Sequence, residues 1–147
     1  MSTPSWAGVA KGTALPPQTF TFRRGDLVRY AGASGDFNVI HWNERIATEV
    51  GLPNVIAHGM LTMGTVARVV TDWTGDPGAV TEFGVRFTRP VPVPDDSALD
   101  GTGGGSTVEV SAEVTEKLED NLVKVTIKAT YEGATVLAKA IAIVRLP

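Results

Sequence analysis

Residues 59–73 hold a helical pattern for about four turns and are apolar or small on nearly every side. Met60, Met63, Val66, Ala67 and Val70 recur at three- and four-residue spacing, which predicts an apolar stripe. Leu61, Gly64 and Thr65 carry the small or apolar character onto other faces. A helix of this kind belongs in the middle of something. What could surround it follows directly in the chain. After the turn residues Gly75-Asp76-Pro77-Gly78, the rest reads as strand. Val80–Thr88 alternates Phe83, Val85 and Phe87 with Glu82, Gly84 and Arg86, and 107–114 alternates Val108, Val110, Ala112 and Val114. Val123, Val125, Ile127, Ala129 and Tyr131 repeat the pattern, and 135–146 supplies a last strand. Turn signals at Glu119-Asp120-Asn121 and Glu132-Gly133 predict hairpins between the last three strands. The pattern predicts an α+β fold in which a four-strand antiparallel meander packs against the helix.

The remaining segments are read more coarsely. Residues 1–17 are small, polar and proline-rich and predict an irregular arm. Thr19–Phe22 predicts a short edge strand. A helix is expected from Arg24, capped by Asp26 and breaking at Ala31-Gly32, and a second short one over 43–50, stopped by Gly51 and Pro53. Residues 92–106 predict a flexible exposed loop rich in Pro, Asp and Gly. No internal repeat divides the chain, so residues 1–147 are expected to form one domain.

Composition closes off several classes of function. The chain has no cysteine, which excludes disulfides, thiol nucleophiles and thiolate metal sites and fits a reducing cytoplasm. A net charge of −3 argues against a nucleic-acid partner, which would need a basic footprint. Met1–Lys11 lacks a basic start followed by an apolar run, and no apolar run approaches spanning length. No membrane partner is expected, and the cytoplasm is the expected location. The two histidines are too few, and too far from any carboxylate cluster of ligand spacing, to predict a metal site. Gly101–Gly105 has no following Lys-Ser/Thr and opens no helix, so it is no phosphate loop. No cofactor is expected.

The chemistry lies in Tyr30-Ala-Gly-Ala-Ser-Gly-Asp36-Phe-Asn38-Val-Ile-His41-Trp42-Asn43. Asp36 and His41, five positions apart across an irregular bend, can converge on one point where a water is held and relieved of a proton. Taken alone, Asp36 reads as a helix cap and His41 as a polar residue of the next turn. Asn38 reads either as an amide that fixes the carboxylate or imidazole, or as an Asx-turn residue. Gly59 falls at the predicted start of the long helix, where backbone N–H groups lack intrahelical partners. It can serve as an oxyanion donor, or simply as a glycine needed for close packing. His58, beside it, is expected to orient the turn rather than to catalyse. Trp42, Trp73, Phe83 and Phe87 read as core or interface aromatics.

The first of these stretches, together with Ala57-His58-Gly59-Met60, resembles the MaoC-like dehydratases, also called the (R)-specific enoyl-CoA hydratase family. Val39 stands where the family motif usually has proline. The stretches Ala57–Gly64, Gly75–Glu82, Val85–Thr88 and Val91–Pro94 are similar in particular to the catalytic B subunit of the actinobacterial (3R)-hydroxyacyl-ACP dehydratases. The resemblance implies a hot-dog fold, an antiparallel sheet wrapped around a central helix. It implies interconversion of (3R)-hydroxyacyl and trans-2-enoyl thioesters, with an acyl-CoA or acyl-ACP substrate. In this reading Asp36 and His41 are catalytic, Asn38 supports them, and the Gly59 N–H forms the oxyanion hole. It also implies a homodimer, or a heterodimer with a related hot-dog subunit. Ala67 takes the place of a serine that some relatives carry on the central helix. The alternatives are a non-catalytic subunit that shapes a partner's acyl tunnel and a hot-dog thioesterase.

Overall fold

Two tight turns set the register of the C-terminal half. Asp120 and Asn121 have φ of 56° and 57°, and Glu132 and Gly133 have 48° and 76°. Two successive left-handed residues give a turn whose twist matches the strands it joins. In the computed structural model, which describes residues 3–95 and 103–147, three strands therefore run as antiparallel neighbours. They are β3 (Ser106–Lys117), β4 (Leu122–Tyr131) and β5 (Ala134–Arg145). Val110 lies opposite Ala129, and Val125 opposite Ala142.

The expected four-strand meander needs correction. β2 (Val80–Phe87) pairs with β5, and β1 (Gln18–Phe22) pairs with β3, giving the order β1-β3-β4-β5-β2. No tight turn follows β2; the long connection over 88–105 lets the chain cross to the other side of the sheet before β3 begins. Opposite both its neighbours, β5 carries a bulge. Ile127 pairs with Ala140 but Ala129 with Leu137, while Gly84 pairs with Ile141 but Arg86 with Ala138. Lys139 takes φ of 48° there, and the irregularity leaves Val136 and Leu137 both buried in succession.

The helix predicted over 59–73 forms as α3 (Gly59–Val66) and α4 (Arg68–Thr74), which meet at Ala67. Ala67 keeps helical dihedrals, and its carbonyl accepts from the Val70 N–H at 3.0 Å, so the joint is a tightened turn rather than an end. The buried side is Thr62, Val66, Val69, Val70 and Thr74, whereas Met60 is 59% exposed. The expected stripe is therefore rotated. A helix that is apolar all round offers no unique stripe, and the sheet selects the face it covers. Val66 and Val69 join Val108, Val114, Val123, Val125 and Val144 in one core, all fully buried. Each such side chain stabilises the fold by roughly 1.5–3 kcal/mol.

Two further expectations shift. α1 (Arg24–Ser34) does not break at Ala31-Gly32 but ends at Gly35, whose φ of 76° carries the chain out of the helix. Asp26 sits within its first turn, and its Oδ2 accepts the Arg23 N–H at 2.9 Å. Part of the expected exposed loop is buried: Val93 enters the core beside Val91 and Pro92 bridges to Ile56, while 96–102 lie outside the described residues. α2 (Glu44–Glu49) forms where expected, with Asn43 Oδ1 accepting the Ile46 N–H at 3.2 Å. Residues 3–17 contain no helix or full strand, yet Trp6 Nε1–H reaches the Leu122 carbonyl at 3.2 Å.

Candidate active site

Beyond Gly35 the chain folds on itself through short side-chain bonds. Asp36 Oδ1 accepts the Asn38 N–H at 3.2 Å, and Asn38 Oδ1 accepts the Ile40 N–H at 3.3 Å. The second bond caps a single 3₁₀ turn, Val39–His41. Trp42 Nε1–H closes the bend on the Phe37 carbonyl at 3.1 Å. The bend brings His41 Nε2 to 3.9 Å from Asp36 Oδ2. The imidazole is buried, and the carboxylate is half exposed.

The hydrogen bonds assign the tautomers. His41 Nδ1 lies 2.7 Å from the Ile56 carbonyl, which only accepts, so Nδ1 carries the hydrogen. In the neutral ring the lone pair then lies on Nε2, on the Asp36 side. His58 Nε2 likewise donates to the main-chain carbonyl of Asp36 at 3.1 Å. The two imidazoles stack with centroids 3.8 Å apart and planes at 23°, and Tyr30 meets His58 edge-on at 4.8 Å. Burial holds the His58 pKa below the ordinary 6.5; the Asp36 carbonyl opposes this, the neighbouring His41 adds to it, and the Asp36 carboxylate opposes it.

Gly59 is the first residue of α3. It shares with His41, Thr62, Phe87, Arg89 and Leu137 the wall of a cavity of about 290 Å³. A Cβ on Gly59 would stand 3.1 Å from Phe87 Cε1, so the close approach of that ring itself requires a small residue. His41 and Gly59 thus face one cavity, with Asp36 beside His41. Asn38 differs: its side chain bonds to Ile40, and only its backbone N–H touches Asp36. Ile56, Phe87, Arg89 and Leu137 escaped the reading of the motif, because they reach the site from β2, β5 and the connections around them. The His58–Asp36 bond also spans 22 positions, and no local pattern signals it.

Asp36, His41 and His58 each offer a ligand-type atom within 4.8 Å of the others. His58 Nε2 is engaged by the Asp36 carbonyl and His41 Nδ1 by the Ile56 carbonyl, which leaves one nitrogen on each ring. An acceptor pair 3.9 Å apart can take the two hydrogens of one water at ordinary lengths of about 2.8 Å.

Residues 8–132 match the MaoC like domain, and the chain belongs to that family. It is 38% identical over 99 residues to 3-hydroxyacyl-thioester dehydratase X of Mycobacterium tuberculosis, a match covering 64% of this chain and 34% of that protein. A solved structure titled MaoC-like dehydratase superposes on 99% of this chain at 40% identity and a TM-score of 0.90, and this chain spans 43% of it. R-hydratase PhaJ1 from Pseudomonas aeruginosa superposes at 27% identity and a TM-score of 0.80, covering 97% of this chain and 85% of that one. The sheet around its central helix is the hot-dog fold. No helix of the described residues is long and apolar enough to cross a membrane.

Proposed function

We propose that this chain is a hydro-lyase that interconverts (3R)-hydroxyacyl and trans-2-enoyl thioesters, carried on CoA or on an acyl carrier protein. The observation that carries the proposal is the pairing of His41 Nε2 with Asp36 Oδ2 across 3.9 Å, at the edge of an apolar cavity that α3 enters with an unpaired first N–H. In the hydration direction both members act as acceptors and hold one water by its two hydrogens. His41 Nε2 takes a proton from water as the oxygen bonds to Cβ. The π electrons of the Cα=Cβ bond move toward the thioester oxygen, where the Gly59 N–H stabilises the growing charge. His41 passes that proton to Asp36, which delivers it to Cα, so both groups return to their starting state. Acid–base help of this kind is typically worth about 10²–10⁴ in rate. Asn38 supports the pair by capping the turn that carries His41.

The catalytic unit is a dimer in this reading, either of two copies or with a related hot-dog subunit. Phe37, Trp42, Met60 and Phe87 are large apolar residues left exposed beside the site segments, and a second subunit would cover them. The whole sequence, 1–147, serves as one hot-dog domain of that assembly, and the cytoplasm is the proposed setting. The test is ultraviolet absorbance at the enoyl-thioester band with trans-2-enoyl-CoAs of several chain lengths. Loss of absorbance that Asp36→Asn abolishes is the expected result. Release of free thiol instead would make the chain a thioesterase. No reaction with CoA or carrier-protein thioesters, alone or with a related subunit, would overturn the proposal.

A further inference from the structure

We propose that His58 is a positioning residue for the Asp36–His41 pair: its Nε2–H fixes the Asp36 peptide to the head of α3, and its ring face fixes the His41 imidazole. This rests on the hydro-lyase reading above. One side chain touches both members of the pair through different parts of itself, by a 3.1 Å hydrogen bond and by a stack at 3.8 Å. The next residue is Gly59, so two consecutive residues set the carboxylate, the imidazole and the oxyanion donor in one frame.

A purely packing role does not account for this side chain. His58 is 1% exposed, and its Nδ1 has no hydrogen-bond partner among the described residues. An aromatic hydrocarbon would fill the same space without burying such an atom. The polar groups that face it are the Asp36 carbonyl and carboxylate from the bend, His41 from the 3₁₀ turn and Tyr30 from α1. Burial favours the neutral ring. Stacked on a neutral neighbour, His41 is the imidazole free to gain the proton of water.

Two variants separate the two contacts. His58→Phe keeps a ring against His41 and removes the donor; His58→Gln keeps an N–H near the Nε2 position and removes the ring. The measurements are kcat and KM on an enoyl-CoA that the parent protein hydrates, thermal midpoints, and ¹⁵N imidazole spectra of the parent. His58→Phe and His58→Gln, each lacking one of the two contacts, should each lower kcat about 10–100-fold with little change in KM. The spectra at pH 7 should give His58 as the neutral Nε2–H tautomer and His41 with a hydrogen on Nδ1. A kcat within twofold of the parent in both variants, or a His58 ring protonated on Nδ1, would overturn the proposal. A parent that hydrates no thioester overturns the hydro-lyase reading instead, while the spectra still decide the contacts.

Discussion

The β3–β4–β5 meander and the site segment 36–59 are built on opposite principles. In the meander β4 carries a ladder on each side, and the inward residues of all three strands share a core with α3 and α4. In the site segment, outside α2, each side chain of the site is held by only a few individual contacts. One bond ties His41 to Ile56, one ties His58 to Asp36, and one carries the Ile56 N–H to the Ile40 carbonyl. Further single bonds, from the Ala57 N–H to the Val91 carbonyl and from Arg24 Nη2 to Asn54 Oδ1, hold the segment to its surroundings. Redundant contacts average out a local loss and express it as stability. Single contacts cannot, so the same loss appears as displaced geometry.

The largest expected effect tests that division. Asp36→Asn and His41→Ala should each lower turnover by about 10²–10⁴ while leaving the thermal midpoint within a few degrees of the parent. Steady-state kinetics and a melting curve on the same preparation check both halves of the statement. Next comes the sheet. Ile127 is 4% exposed at the centre of β4, and Ile127→Ala should cost roughly 2–5 kcal/mol by denaturant midpoint. Turnover per folded molecule should hardly change. If Ile127→Ala instead cut kcat in the folded protein, the sheet would be setting the site directly and the division would fail.

The same contrast explains what could be read from the sequence. Period-two alternation placed β3 and β4 because each exposed or buried position repeats a local choice, and the hairpins at 120–121 and 132–133 were signalled by their turn residues. The crossover of β2 was not legible, since nothing in Val80–Phe87 names its partner. Nor was the buried face of α3, because its residues suit several faces and the sheet does the choosing. Asp36, His41 and Gly59 were legible through the resemblance. How the pair is held was not: the Ile56 carbonyl that fixes the His41 tautomer and the His58 bond to Asp36 are main-chain contacts, which leave no residue signature. Asn38 was legible only as two alternatives, and its side chain takes the turn-capping one.

A smaller effect probes where the two regions meet. Gly59→Ala puts a methyl group 3.1 Å from the Phe87 ring, at the wall shared by α3 and β2. Phe87 is half exposed and can yield, so stability should fall little while KM rises by roughly 10-fold. An unchanged KM would mean that the cavity does not receive substrate on this side. The pH dependence of stability is a gentler probe. Because burial depresses the folded-state pKa of His58 below 6.5, folded and unfolded chains bind its proton to the same extent well above that value and again well below the folded-state pKa. As pH falls below 6.5 the unfolded chain takes up a proton that the folded one resists, so stability is lost until the folded ring protonates too. Denaturant midpoints between pH 7.5 and 5.5 should therefore fall more steeply in the parent than in His58→Phe. Parallel slopes would show that His58 is not held neutral.

The smallest effect asks whether the meander is as locally determined as its pattern implies. Glu132 is the first of the two left-handed residues between β4 and β5, with φ of 48°, a conformation that costs a glutamate more than an asparagine. Its partner Gly133 already meets the demand of the turn. Glu132→Asn would create the Asn-Gly pair most compatible with this geometry and should raise stability by roughly 0.5–1 kcal/mol with no change in turnover. The turn lies where Tyr131 faces Ala134, at the end of a ladder that continues to Leu122 and Arg145, so a better turn has only to tighten contacts that already exist. A gain in denaturant midpoint with unaltered kcat would place the turn wholly on the redundant side of the molecule. A loss would mean that the β4–β5 register is imposed from the bulge at Lys139 rather than by the turn, and the sheet would then share with the site a dependence on one irregular residue.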